Sequence, residues 1–266
     1  MGDWLLNLPI PWMALVIFAA IYLVTVVIYL IVIGLAKDDR ARAFKALSPA
    51  MLPPLGIIFG LLVGFVAVGV WNDFDRAKVA VASEASALRG VLLLAENFPD
   101  EQKSRLRALI NRHIEEAVKQ EWPAMAQGRA TLATLPHTLM EALQVTLTLK
   151  PADDNQRTAQ REMVSALERA ADARRQRIVI SQSSVNSVKW AAILLQGLIA
   201  LIAIAMVHSD NRLTCAIALT MFATGIAASV LLIATYTRPF TGDISVGPDL
   251  LQQVITSEPG IGTSPR

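Results

Sequence analysis

The stretch GFVAVGVWNDFDRAKVAVASEASALRG, residues 64–90, begins in an apolar run and ends in a charged, polar segment. It contains no proline, and its apolar residues recur every three or four positions from Phe74 to Leu88. This spacing places them on one face of a single α-helix. The sequence therefore predicts a helix that leaves an apolar environment and continues without a break into a polar domain.

The composition indicates a membrane protein. Of the 266 residues, 54% are apolar and 17% are charged, and the mean hydropathy is +0.47. A soluble domain is usually less apolar and more highly charged. The formal net charge of only +2 argues against a nucleic-acid partner, because phosphate binding requires a strongly basic face.

Four apolar runs are each long enough to cross a hydrocarbon core of about 30 Å at about 1.5 Å per residue. They cover residues 10–35, 53–71, 188–207 and 213–236. The first run lacks the basic start and the short apolar core of a secretory signal, so we interpret it as a retained span. We predict an all-α membrane protein with four transmembrane helices. Its expected parts are a first helix pair at 1–71, a polar helical domain at 72–187, a second helix pair at 188–236, and a C-terminal strap and tail at 237–266.

The polar segment between the second and third spans has helical periodicity. The apolar stripe of the second span extends to about Asn97, and further helices are predicted at about 100–122, 136–148 and 154–185. Prolines separate these segments, namely Pro99, Pro123, Pro136 and Pro151. After Arg238 we expect an extended strap and then a short helix that starts at Pro248. The insert is therefore predicted to be a small helical bundle.

Sequence motifs for enzyme chemistry are missing. There is no glycine-rich phosphate loop ending in Lys-Ser or Lys-Thr, no cysteine pair and no Gly-x-Ser-x-Gly. The three histidines, His113, His137 and His208, are scattered over different segments, which disfavours a metal site. The stretch ADDN at 152–155 has too few oxygen ligands for calcium and is better suited to a helix N-cap. We expect no catalytic residues, no bound metal and no cofactor.

Gly56, Gly60 and Gly64 are spaced four residues apart in the second span. They therefore share one helix face, along which another helix backbone can approach closely. We interpret this face as a helix-packing surface. About 100° around the helix, Ile57 and Leu61 form an apolar line that faces either lipid or a lumen.

The second span resembles the second membrane helix of the bestrophins. The string PPLGIIFGLLVGFVAVGVWNDFDRA, residues 53–77, has the same proline-leucine start, a glycine at Gly60 and a Trp-Asn-x-aromatic motif from Trp71 to Phe74. The whole chain is more similar still to the bacterial bestrophin-like domain family of membrane proteins. That resemblance includes the segments WLLNLP, EASALRG, EEAVKQEWPAM and RPFTGDISVGP.

The resemblance implies a homo-oligomeric ion channel, pentameric in bestrophins, whose second helix lines an axial pore and continues into a cytosolic vestibule. Its partners would be further copies of the chain, the lipid bilayer and inorganic ions. In bestrophins the narrow neck is built of apolar residues four positions apart, and the ungapped match places these on Pro53, Ile57 and Leu61. An apolar constriction gates by loss of water, so these residue types are suitable. The large neck aromatic is absent at Ile57 and Leu61, which implies a wider or displaced neck.

Glu84 borders the apolar stripe in the extension of the second span. One interpretation pairs its carboxylate with a basic residue of a neighbouring helix, such as Arg174 or Arg175. The other interpretation places Glu84 side chains from several subunits in a ring that faces an aqueous vestibule and favours cations. The run RRQR at 174–177 is interpreted in a similar way, as a basic vestibule, a lipid head-group patch or a solvated helix face.

The membrane orientation is not decided by charge. The basic residues Lys37, Arg40, Arg42 and Lys45 follow the first span, and the positive-inside rule would place that loop in the cytoplasm. The resemblance to bestrophins implies the opposite, with the polar domain in the cytoplasm. We follow the resemblance and expect a multi-pass protein of the bacterial inner membrane.

Two other classes of function remain open. A membrane scaffold would pack through the glycine face without conducting ions. A membrane sensor would use the insert as an extracytoplasmic bundle, although few residues follow the last span to supply an output domain. A channel differs from a scaffold because it requires a closed ring around a water-filled axis.

Overall fold

The computed structural model of the protein describes residues 3–6, 8–36, 44, 49–133, 137–183 and 185–256. All regular elements in these ranges are helical. The chain divides into two compact units. The membrane unit comprises Met1–Asn72, Ser184–Arg238 and Gly242–Ile244. The polar unit comprises Asp73–Ser183, Pro239–Thr241 and Ser245–Arg266.

The α-helices within the described ranges are α1 (Asp3–Leu6), α2 (Ile10–Leu35), α3 (Leu52–Ala95), α4 (Asp100–Glu116), α5 (Trp122–Ala126), α6 (His137–Thr148), α7 (Asp154–Ser181), α8 (Ser187–Val207), α9 (Arg212–Tyr236) and α10 (Asp249–Thr256). A 3₁₀ turn, Pro49–Met51, precedes α3, and a π-helical segment, Ala117–Glu121, joins α4 to α5. Four of these helices, α2, α3, α8 and α9, are long and apolar enough to cross a membrane. The predicted all-α architecture with four such helices is confirmed.

Helix α3 is 44 residues long and has no break where its apolar part ends at Trp71. This confirms the continuous helix predicted from residues 64–90. The other predicted helices are also found, with shorter bounds in two places: α4 loses α-helical geometry after Glu116, and α7 ends at Ser181. Lys37, Arg40, Arg42, Lys45 and Pro136, which entered the predictions of orientation and helix boundaries, lie outside the described residues.

Side chains that accept hydrogen bonds from the first free amides mark the starts of three long helices. Asp153 accepts from the Gln156 amide at the start of α7, Asn186 caps α8, and Asn211 caps α9. The N-cap role predicted for ADDN is therefore confirmed. Helix α2 follows Pro9, which has no capping side chain. Asp243 supplies the missing cap, because its Oδ2 accepts a hydrogen bond from the Ile10 amide at 2.9 Å.

The membrane unit is packed around α9. Helix α9 contacts α2 and α8 through a buried face that includes Cys215, Leu219, Ala223, Ile226, Ala227 and Val230. The small side chains of this face allow the helices to approach closely. The Tyr22 hydroxyl also lies 2.8 Å from Thr224 Oγ1 on α9. Thr224, Ser229 and Thr235 donate to backbone carbonyls one turn earlier, which satisfies their hydroxyls in an apolar environment.

The polar unit has its own core, in which α4, α6 and α7 pack together. Its most deeply buried apolar side chains are Leu88, Val91, Leu106, Ile110, Ile114, Met125, Met163, Ile178 and Leu251. The strap after α9 lies against α5. Trp122 Nε1 donates to the Val246 carbonyl at 3.0 Å, and Thr241 Oγ1 donates to the Ala126 carbonyl at 2.7 Å. The strap turns at Gly242, whose φ of 85° is rarely adopted by other residues.

Gly197 provides a test of helix packing in the membrane unit. A Cβ at this position would lie 3.2 Å from Ile226 Cδ1 on α9 and 3.6 Å from Phe59 Cε2 on α3. We expect Gly197→Val to cost about 1–3 kcal/mol through overpacking, measured as a lower Tm of the purified protein. The matched control is Gly225→Val, because a Cβ at Gly225 would meet no described atom within 4 Å. An equal loss in both variants would contradict the predicted packing.

Candidate functional site

The predicted neck residues lie on a face of α3 that no described part of the chain covers. Ile57 is 62% exposed and Leu61 is 56% exposed, and Pro53 is exposed as well. The opposite face of the helix is buried in the membrane unit through Phe59 and other apolar residues, namely Val66, Ala67 and Val70. Within one protomer, Pro53, Ile57 and Leu61 are therefore free to face a lumen, lipid or another molecule.

The glycine face of α3 is also uncovered. A Cβ added at Gly56, Gly60 or Gly64 would meet no described atom within 4 Å. No described helix of the same chain therefore makes the close approach that this spacing predicts. The packing role of these glycines stays a prediction.

The uncovered face of α3 changes character where the helix enters the polar unit. Instead of large apolar residues, it carries mainly small side chains there. With Ala166 and Arg169 of α7, these residues line an open groove: Val79, Ala82, Ser83, Ser86, Ala87, Gly90 and Leu94. This part of the helix is suited to contact with water or with a closely packed neighbour.

Behind this face, the polar unit contains a buried ion network. Glu84 of α3 and Arg177 of α7 have no exposed side-chain surface. The guanidinium binds the carboxylate in a bidentate manner, with Nε 2.8 Å from Oε2 and Nη2 3.1 Å from Oε1. His113 of α4 adds a third contact, because its Nε2 lies 3.1 Å from Glu84 Oε1. Both carboxylate oxygens of Glu84 are therefore bound.

Glu121 connects this pair to a second arginine. One carboxylate oxygen of Glu121 accepts from Arg177 Nη2 at 2.8 Å, and the other accepts from Arg174 Nε at 2.7 Å. The Arg177 guanidinium also lies 4.4 Å from the centroid of the Trp122 ring, a cation–π contact. The network consists of Glu84, Glu121, Arg174, Arg177 and His113, and it joins α3, α4, α7 and the π segment.

The environment of Glu84 sets its protonation state. Glu84 lies in the polar unit, beyond the apolar part of α3. Burial alone would raise the pKa of its carboxyl, but the charge of Arg177 and the hydrogen bonds from His113 and Arg177 outweigh burial and lower the pKa from 4.5 to about 2. Burial would likewise lower the pKa of Arg177, but Glu84 and Glu121 raise it above its usual value. The pair is therefore ionised at neutral pH.

The π segment explains how Glu121 reaches the network. Pro123 has no amide hydrogen and could not make the α-helical bond to the carbonyl four residues earlier. The chain adopts a π turn immediately before it, in which the Trp122 amide bonds the Ala117 carbonyl five residues back. One extra residue in a helix rotates the following side chains by about 100°. Here Glu121 and Trp122 both contact Arg177, and such π turns are frequent at functional sites.

Two interpretations made for Glu84 require correction. Glu84 binds Arg177 rather than Arg174 or Arg175, because Arg177 is the member of the basic run that faces α3. The alternative ring of Glu84 carboxylates in water is wrong for this fold, since the side chain is fully buried within its own protomer. The run RRQR is not uniformly solvated either: Arg174 and Arg177 are buried, whereas Arg175 is exposed and pairs with Asp172.

Three members of the network were missed from the sequence: Arg177, Glu121 and His113. One signal was present, because Arg177 lies seven residues after Ala170 and three after Arg174, on the same apolar stripe of α7. An arginine on such a stripe needs a buried anion. No comparable signal marks Glu121, because its position depends on the π turn.

A polar cavity of about 300 Å³ adjoins the network. It is lined by charged and polar side chains from α4, the π segment, α7 and the loop before α6, among them His113, Glu116, Gln120, Glu121, Arg129 and Arg174. Thr138 Oγ1, at the start of α6, donates to Glu116 Oε2 at 3.2 Å. The cavity thus brings the buried network close to solvent.

Removal of Arg177 tests whether the network stabilises the polar unit. Arg177→Met would leave the Glu84 carboxylate buried without a cation, so we expect a loss of about 3–5 kcal/mol of unfolding free energy. Arg175→Met, on the same helix but exposed, should cost less than about 1 kcal/mol. Chemical denaturation of the two variants gives the comparison, and similar losses would contradict a special role for Arg177.

Acid should weaken the polar unit through Glu84. Because the folded pKa of about 2 lies below the unfolded value of 4.5, the stabilisation is complete above about pH 4.5 and is lost as pH falls towards about pH 2. This difference in the pKa of Glu84 corresponds to roughly 3 kcal/mol of unfolding free energy. Thermal unfolding between these pH values should show this loss in the wild type and in Glu115→Gln, a control at an exposed ion pair. Glu84→Gln should show a flatter acid dependence, and an unchanged one would contradict the assignment.

Comparison with known proteins agrees with this architecture. The Bestrophin-like domain family matches residues 19–251. A search of curated proteins finds no match. Among solved structures, a point variant of a bacterial bestrophin homologue from Klebsiella pneumoniae superimposes with a TM-score of 0.71 at 15% identity, over 90% of this chain and 98% of that chain. Another structure of a bacterial bestrophin homologue from Klebsiella pneumoniae, solved by Zn-SAD phasing, superimposes with a TM-score of 0.70 at 14% identity. The match covers 89% of this chain and 95% of that chain. These structures show a shared fold, and the family match over most of the sequence shows that the chain belongs to the bestrophin-like domain family.

Proposed function

We propose that the chain assembles into a homo-oligomeric ion channel in the cell membrane, without enzymatic activity. In this proposal α3 lines the pore, and Pro53, Ile57 and Leu61 form its apolar neck. The observation that carries the proposal is the uncovered face of α3, which holds these three residues and the open glycines.

Lipid alone is a poor explanation for this face. Glycine offers little surface for contact with acyl chains and leaves the backbone accessible, whereas small residues at four-residue spacing are typical of helix–helix contacts. A second copy of α3 on Gly56, Gly60 and Gly64 would cover the glycine face. Ile57 and Leu61, further around the helix, would then face the axis of a closed ring.

The polar unit supports the same arrangement. The uncovered face of α3 carries Ser83 and Ser86 after the apolar part ends, and both side chains are exposed. Small polar side chains suit the wall of a water-filled vestibule. An apolar neck followed by a polar wall is a known means of gating ion flow by loss of water.

The proposal departs from one interpretation of the sequence, namely the one that gave Glu84 a role in ion selectivity. The interpretation that favours cations required a Glu84 carboxylate in water. In the structure that carboxylate is fully buried and bound by Arg177. The proposal therefore includes an apolar neck but no charged selectivity ring at Glu84.

The resemblance to bestrophins supports two finer parts of the proposal. We propose five copies in the ring and a cytoplasmic location for the polar unit. Native mass spectrometry of the detergent complex should give five chains, and a monomer would contradict the channel itself. Labelling of a single cysteine introduced at exposed Ser86 should be blocked in intact cells and appear after permeabilisation.

The test of conduction compares two adjacent isoleucines. Ile57 and Ile58 are 62% and 53% exposed in the protomer, but they point about 100° apart on α3. In planar bilayers with an asymmetric potassium chloride gradient, we expect the purified wild-type protein to give a current with a defined reversal potential. Ile57→Ala should widen the neck and raise the single-channel conductance several-fold, whereas Ile58→Ala should leave it close to wild type.

The outcomes separate the channel from its main alternative, a non-conducting membrane scaffold that packs through the glycine face. Current that responds equally to both substitutions would reject the neck but keep the channel. No current from an assembly shown to be oligomeric would reject conduction and favour the scaffold.

A further inference from the structure

The line of α3 that carries Ile57 and Leu61 continues to Asp75, the first charged residue on it. Asp75 follows Ile57 by eighteen residues, or about five helical turns, so both side chains leave the helix in the same direction. Leu61 and Val68 lie between them, within about 40° of that direction. All four side chains are exposed. One uncovered line of α3 therefore leads from large apolar side chains to a carboxylate.

The charged neighbours of Asp75 on α3 are held on other sides of the helix. Arg76 Nη1 lies 3.8 Å from Asp73 Oδ1, and Asp73 lies about 160° around the helix from Asp75. The Lys78 ammonium lies 4.7 Å from the centroid of the Phe74 ring, which is buried. Among the described residues, Asp75 itself makes no ion pair and no hydrogen bond. Within the described part of one copy, its carboxylate is thus free to act on ions in solution.

We propose that Asp75 forms a cation-attracting ring in the assembled protein. The inference rests on the proposed function, because it requires several copies of α3 around one axis. The carboxylates, one from each copy, then lie at the polar end of the apolar line, and rings of acidic side chains in a pore favour cations. Such a ring raises the local concentration of cations and lowers that of anions.

The distance along α3 separates the role of this ring from that of the neck. At about 1.5 Å per residue, Asp75 lies about 21 Å from Leu61 and about 10 Å from Val68. The screening length is about 10 Å at 0.1 M salt and about 30 Å at 0.01 M. The ring therefore acts on ions at the polar end of the line and reaches the neck only in dilute salt. The charge preference should weaken as salt rises, whereas the apolar barrier to water should not change.

Asp73 supplies a matched control for the ring. It carries the same charge two positions before Asp75 but on the other side of α3, and its side chain is 39% exposed. Asp75→Asn removes the charge that faces the proposed axis, and Asp73→Asn removes an equal charge that faces away from it. Both substitutions preserve the size of the side chain, so we expect both variants to fold and assemble.

Reversal potentials under a potassium chloride gradient test the charge preference. With both solutions below about 0.1 M, we expect the wild-type reversal potential to show a preference for potassium over chloride. Asp75→Asn should remove most of that preference, whereas Asp73→Asn should leave it close to wild type. The difference between the two variants should shrink at about 1 M salt, where the screening length is about 3 Å. Equal shifts in both variants would overturn the proposal.

A chemical test of the same ring requires no current. A cysteine introduced at exposed Val79, about one turn beyond Asp75, is labelled with cationic and anionic thiol reagents of similar size. In the assembly in lipid, the cationic reagent should react several-fold faster than the anionic one, and Asp75→Asn but not Asp73→Asn should remove this difference. The ratio of the two rates cancels any change in the thiol itself. Native Cys215 is buried, and the protein without the introduced cysteine gives the background rate.

The two tests separate the ring from the channel. A labelling ratio that Asp75→Asn removes, in an assembly without current, would keep the ring and reject conduction. A current whose charge preference survives Asp75→Asn would keep the channel and reject the ring. Dissociated chains should show a smaller labelling ratio than the assembly, because one carboxylate then acts instead of several. An equal ratio in both would overturn the ring.

Discussion

The ion pair between Glu84 and Arg177 is the interaction on which the packing of the polar unit depends. Both groups are fully buried, and each would be strongly destabilising alone because transfer of a charge from water costs several kcal/mol. Every neighbouring feature offsets that cost. Glu121 and His113 supply further bonds, Trp122 covers the guanidinium, and the π turn before Pro123 brings Glu121 and Trp122 to it.

Helix α3 is one continuous helix that belongs to the membrane unit up to Asn72 and to the polar unit from Asp73. In its apolar part the helix is held by contacts such as that of Phe59 with Phe222, whose ring centroids are 5.8 Å apart. Beyond Trp71, the same side of the helix is held by buried apolar side chains and also by the ion pair between Glu84 and Arg177. The opposite side remains uncovered along both parts, and there the side chains change from large and apolar to mainly small. One anchored side and one uncovered side are compatible with the proposed role of α3 in lining a pore.

Most of the fold could be predicted because it depends on local patterns. Apolar length predicts spans, three- and four-residue periodicity predicts the helices of the insert, and Asp153, Asn186 and Asn211 mark helix starts through their short polar side chains. The candidate site was less predictable. Glu84 was recognised as unusual because a carboxylate on an apolar stripe needs a partner, but the partner is 93 residues away in sequence and three arginines lie close together on α7.

The sequence by itself therefore determined the class of the protein, the four long apolar helices and the continuity of α3, since hydropathy and helical spacing act over short stretches of chain. Only the tertiary structure decided which arginine meets Glu84, that both charges are buried, and that His113 and Thr138 extend the network to the cavity. The reason is physical. Which face of a helix meets which neighbour depends on the packing of distant segments, and at Glu121 it depends on one inserted residue that shifts every later side chain by about 100°.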